Sequence, residues 1–76
     1  MSSVPAKSKQ IDIVVNGQTR AVPHGLMLDQ LLSFLEIDPA RVAVEMDKAI
    51  VRRPAWITTP VSAGSALEIV QFVGGG

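Results

Sequence analysis

The sequence predicts an α+β domain in which one helix lies over a mixed sheet of four or five strands. Three observations carry that prediction. Two segments, "IDIVV" at residues 11–15 and "LEIVQFV" at residues 67–73, repeat their apolar residues with period two, as half-buried strands do. A third, "LMLDQLLSFLEIDP", places Leu28, Leu31, Leu32 and Leu35 at i, i+3, i+4 and i+7, one apolar stripe of an α-helix. A lone helix among several strands excludes a doubly wound parallel sheet, which needs helices on both faces.

The elements follow in order as hairpin, helix, short strands and final strand. In the first strand Ile11, Ile13 and Val15 share a face, against Asp12 and Val14. Asn16-Gly17 comes next, the strongest short hairpin signal, because both residues accept a positive φ. Residues 19–22, "TRAV", return as the second strand, and Pro23 and Gly25 close the hairpin. Asp29 suits the positive end of the helix dipole. No Ser, Thr, Asp or Asn stands where the helix needs a cap, so Gly25 is the expected one. Pro39 is expected to end the helix, with Asp38 before it pushed away from helical angles.

"RVAVEMD" then sets Val42, Val44 and Met46 on one face of a strand and Ala43, Glu45 and Asp47 on the other. "AIV" at residues 49–51 pairs back across a tight turn at Asp47-Lys48. "RRPAWITTP" reads as a helical turn or an irregular loop, with Trp56 plugging one end of the core. In the last strand Leu67 and Ile69 are expected to face the helix, leaving Glu68, Val70 and Phe72 on the open side of the sheet. Val14 has the parity to join Val70 and Phe72 there. Exposed Val and Phe together make a small apolar patch of the kind that serves a partner.

Composition excludes several classes of function. With 76 residues, folding buries only about 60% of the surface that the unfolded chain exposes, too little for a deep two-walled catalytic cleft. Seven basic and seven acidic residues cancel without forming a basic stripe, which argues against nucleic acid. There is no cysteine, hence no disulfide, thiol nucleophile or thiolate metal site. The one histidine, His24, sits between Pro23 and Gly25 and reads as a turn residue. No apolar run reaches the length of a membrane span, and "MSSVPAKSKQ" lacks the apolar core of a signal peptide. The expectation is a cytoplasmic protein, monomeric when free, with no membrane partner. Arg52 and Arg53 read as a solvated pair at a strand end.

The strand-like final segment runs into Gly74, Gly75 and Gly76. Three glycines suit an untethered stub, since termini fray unless tied down. They also suit a thin probe, because a chain without Cβ atoms passes through a channel that rejects any side chain. From Phe72 to Gly76 such a probe reaches about 13 Å. Ordering three glycines costs about 3–6 kcal/mol and returns no side-chain contacts. The globular surface must therefore do the docking, and a patch at Val14, Val70 and Phe72 is placed to supply it.

Taken together, "VNG" in the first hairpin, "VPHG" before the helix, "LDQLL" within it, "RVAVE", "IVRRPAW" and above all "LEIVQFVGGG" resemble the ThiS family. ThiS proteins are ubiquitin-like sulfur carriers of thiamine thiazole synthesis. The resemblance runs from Ile11 to Gly76 and implies a β-grasp fold. It divides the chain into a flexible extension at 1–9, a β-grasp domain at 10–73 and a flexible glycine tail at 74–76. Three positions depart from the pattern: Met27 where Thr is common, Asp47-Lys48 in place of an Asn-Gly turn, and Ser65 where Asp is common.

The chemistry that the resemblance implies belongs to the partners. A ThiF-type enzyme uses ATP to adenylate the carboxylate of Gly76. Sulfur from a cysteine desulfurase relay then displaces AMP, and the resulting thiocarboxylate gives its sulfur to the thiazole synthase ThiG. Gly76 would carry the sulfur, with Val73, Gly74 and Gly75 in the partner's channel. The chain itself would bind no cofactor and supply no acid, base or nucleophile. A sulfur carrier for molybdopterin or cysteine synthesis, a ubiquitin-like modifier joined to lysines, and an interaction module with an inert tail remain open alternatives.

Overall fold

The structure is a computed structural model and describes residues 9–72. Strands β1 (Gln10–Val15) and β2 (Gln18–Pro23) form the first hairpin, followed by helix α1 (Leu28–Phe34). A 3-10 turn at Pro39–Arg41 leads into β3 (Val42–Met46) and β4 (Ala49–Val51). A second 3-10 segment at Arg53–Thr58 precedes β5 (Ala66–Gln71). The five strands lie in the order β2-β1-β5-β3-β4. The central β1–β5 pair is parallel and the other pairs are antiparallel, so the sheet is mixed.

The alternation in the strands decides which side of the sheet is covered. Ile13 and Val15 of β1, Val42 and Val44 of β3, and Leu67 and Ile69 of β5 point to one face and are buried. Leu28, Leu31 and Leu32 of α1 close over them, with Trp56 and Val61 from the long connection into β5. Trp56 does plug the core, and its Nε1–H donates to the Val51 carbonyl at 2.8 Å, so its one polar atom is paired. The first turn also forms as expected, with Asn16 at φ +49° and Gly17 at +83°.

Several local expectations are corrected. Gly25 does not cap α1; it sits in the preceding turn at φ +94°, and Met27 holds the cap position. Met27 has no side-chain oxygen to offer, so Gln30 reaches back and accepts from the Met27 N–H at 2.8 Å. Nor does Pro39 end the helix. Glu36 turns left-handed at φ +61°, its N–H donating to Ser33 and that of Ile37 to Leu32. This pair of bonds is a Schellman closure made without glycine. Pro39 instead opens the next 3-10 turn, where Asp38 accepts from the Ala40 N–H at 3.0 Å.

The departures at two turns have physical compensations. Asp47 and Lys48 both hold positive φ, +51° and +72°. The Asp47 carboxylate accepts the Ala66 N–H at 2.9 Å while its own N–H donates to the Ala66 carbonyl at 2.7 Å. That grip on β5 offsets part of the strain of the left-handed backbone. Ser65 is buried, and its hydroxyl accepts from the Ser62 N–H at 3.1 Å, a local closure that a short polar side chain can make.

Candidate functional site

Everything that faces away from α1 on β3, β4 and β5 forms the candidate site. The register fixes its layout. Val70 lies opposite Ala43, and one row further along Glu68 lies opposite Glu45, which in turn lies opposite Ile50. Val70 is 59% exposed, Phe72 53% and Ile50 76%, an unusual concentration of bare apolar surface on so small a domain. Ala43, Glu45, Lys48, Ile50, Glu68 and Val70 line a shallow depression of about 530 Å³. A second hollow beside it is bounded by Ala43, Ile50, Arg52, Trp56 and Phe72.

Charged side chains flank the apolar patch. Two carboxylates, Glu45 and Glu68, stand directly across from each other, an arrangement that costs a little in the free protein. Among the described residues neither has an ion pair, and Lys48 only borders the same depression. Arg52, at the other end, is exposed beside Phe72. Arg53 is exposed, as expected, and also makes two contacts. It donates to the Pro39 carbonyl at 2.6 Å and lies 5.0 Å from the centre of the Trp56 ring, tying two connections together.

Of the residues singled out in the sequence, Val70 and Phe72 stand together on the open face. Val14 does not join them. It pairs with Ala66, four residues before Val70 along β5, which sets it about 13 Å away, and it is half-buried. Ala43 and Ile50 take its place in the patch. Only the strand register could show this, because parity assigns a face and not a position along it. Val73, Gly74, Gly75 and Gly76 lie outside the described residues, as do residues 1–8.

One contact on β5 had no signal in the sequence. The Asn16 side chain accepts the Ile69 N–H at 2.7 Å and donates to the Ile69 carbonyl at 3.2 Å. An amide side chain here stands in for a peptide group of β1, holding β5 after β1 has turned away. Among the described residues no three His, Cys, Asp or Glu side chains gather as a metal site, and no helix is long and apolar enough to cross a membrane.

A mixed five-stranded sheet with one helix packed on one face, and the other face bare, is the ubiquitin-like β-grasp architecture. Comparison with known proteins narrows the class. Residues 13–76 match the ThiS family. The crystal structure of the thiamine biosynthesis protein ThiS from Geobacter metallireducens is similar at a TM-score of 0.76 and 33% identity, covering 87% of this chain and 100% of that one. A thiazole synthase from Paramagnetospirillum magneticum is 38% identical over 64 residues, 84% of this chain but 20% of that protein. The uncharacterized protein ycf40 of Porphyra purpurea is 29% identical over 69 residues, 91% of this chain and 97% of the relative. The chain belongs to the ThiS family.

Proposed function

We propose that this chain carries sulfur for thiamine thiazole formation as a thiocarboxylate on Gly76. Membership of the ThiS family carries the reading, supported by likeness to the whole of a solved ThiS chain. A ThiF-type enzyme activates the Gly76 carboxylate: the carboxylate attacks the α-phosphorus of ATP and pyrophosphate leaves. The terminal sulfur of a persulfide on a cysteine desulfurase relay then attacks the acyl carbon and AMP departs. A second thiol cleaves the resulting acyl disulfide, releasing the thiocarboxylate and leaving the two thiols joined as a disulfide. Thiazole synthase takes the sulfur. A segment similar to this chain lies within proteins named thiazole synthase, of which the match spans a fifth, and this supports the synthase as a partner.

In this reading the domain contributes position. Glycine tails recognised through backbone alone bind weakly, because ordering them costs about 3–6 kcal/mol for three residues. The open face supplies what the tail lacks: Val70, Phe72, Ala43 and Ile50 offer apolar area, with carboxylates at one end and Arg52 at the other. Charges flanking an apolar patch set orientation and association rate more than affinity. The test is pyrophosphate exchange catalysed by a ThiF-type enzyme. Full-length chain is expected to support exchange and a chain lacking Gly76 to abolish it while remaining folded. Exchange that survives the truncation would refute the assignment to Gly76.

A further inference from the structure

Strand β5 is central in the sheet where it begins and is an edge where it ends. Its even-numbered residues pair with β3, as shown at both ends by the Asp47 N–H on the Ala66 carbonyl at 2.7 Å and the Phe72 N–H on the Arg41 carbonyl at 2.8 Å. The odd-numbered residues turn to β1. Ser65 accepts the Val14 N–H at 2.9 Å and Leu67 the Asn16 N–H at 2.8 Å, and Ile69 is held by the Asn16 amide. There β1 stops: the backbone register with β5 covers only Val14–Ala66 and Val15–Leu67. By the same alternation the N–H and carbonyl of Gln71 face the side that β1 has vacated. Among the described residues neither finds a backbone partner.

We propose that this edge of β5 at Gln71 is a strand-addition site for an extended backbone segment of the enzyme that receives the tail. The inference rests on the functional reading above and names how the partner grips the chain. An unpaired, exposed edge without proline or charge is a template for another strand, and proteins that avoid such pairing usually blunt it. Gln71 is exposed and carries neither device. Asn16 makes the arrangement possible. A backbone residue in its place would carry β1 onward along β5 and cover the edge, whereas a side-chain amide satisfies Ile69 and stops. The occupant is defined by chemistry: a segment offering a carbonyl to the Gln71 N–H and an N–H to its carbonyl, running beside β5 towards the active site that takes the glycines.

Two variants in the full chain test this with a ThiF-type enzyme and ATP, reading adenylate at Gly76 by mass. Gln71→Pro removes the outward N–H at a place where an edge strand tolerates proline, and Gln71→Ala keeps it. KM for the Gln71→Pro carrier is expected to exceed that of Gln71→Ala by about tenfold with kcat retained, as one lost hydrogen bond predicts. Equal KM values in two folded variants would overturn the inference and leave the functional reading standing. If thermal melting shows that Gln71→Pro does not fold, amide exchange in the wild-type chain decides. Exchange at Gln71 slowed at least tenfold by the enzyme supports the site, and unchanged exchange overturns it. A wild-type chain that is never adenylated refutes the functional reading, and this inference with it.

Discussion

Two faces of one sheet divide the labour of this protein. On the covered face Ile13, Val44, Leu67 and Ile69 meet Leu28, Leu31 and Leu32 with almost no exposed surface. On the open face Ile50, Val70 and Phe72 are more than half exposed and two glutamates oppose each other. The same strand supplies both, since Leu67 and Ile69 alternate with Glu68 and Val70. A sheet with one helix has one face to spend on stability, and the other is free to be shaped by a partner. The division means that changes to neighbouring residues of β5 should have effects of different kinds.

Substitutions ranked by expected effect can break or sharpen that contrast. Leu67→Ala, on the covered face, should destabilise the fold by about 2–5 kcal/mol in urea titration, a large fraction of the stability of so small a domain. Asn16→Ala comes next. It leaves the Ile69 peptide groups unpaired and places a less tolerant residue at φ +49°, so a loss of about 2 kcal/mol is expected. Phe72→Asp should leave the free energy of unfolding within about 0.5 kcal/mol of wild type, as a surface change does. Its effect should fall on docking instead, with affinity for a ThiF-type enzyme lowered at least roughly tenfold in a calorimetric titration. Unfolding of that variant would mean that Phe72 belongs to the core. The smallest change is Lys48→Gly, which relieves a left-handed backbone and should add about 0.5–1 kcal/mol to stability without altering the covered face.

The covered face was legible in the sequence because it is written in periods. Leucines at helical spacing and the two-residue alternation of β1, β3 and β5 state which side chains share a surface, and the Asn-Gly turn states where the chain reverses. The parity that puts Val70 and Phe72 outward is of the same kind. What escaped depends on residues far apart in the chain or on side chains taking unusual parts. Asn16 looks like a turn residue and is also a clasp on Ile69, 53 residues away. Arg53 looks solvated and bonds to Pro39. Glu36 closes α1 without the glycine that normally marks such an end. Parity gives Val14 its face but not its neighbours, because its distance from Val70 depends on the parallel register of β1 with β5.

The central claim is that the folded domain positions a carboxylate that other proteins load with sulfur. Intact mass spectrometry, after incubation with ATP, a ThiF-type enzyme and a sulfur source, tests it most directly. The account predicts exchange of one oxygen for sulfur, localised by fragmentation to Gly76. An unchanged mass, or sulfur attached anywhere else on the chain, would contradict it.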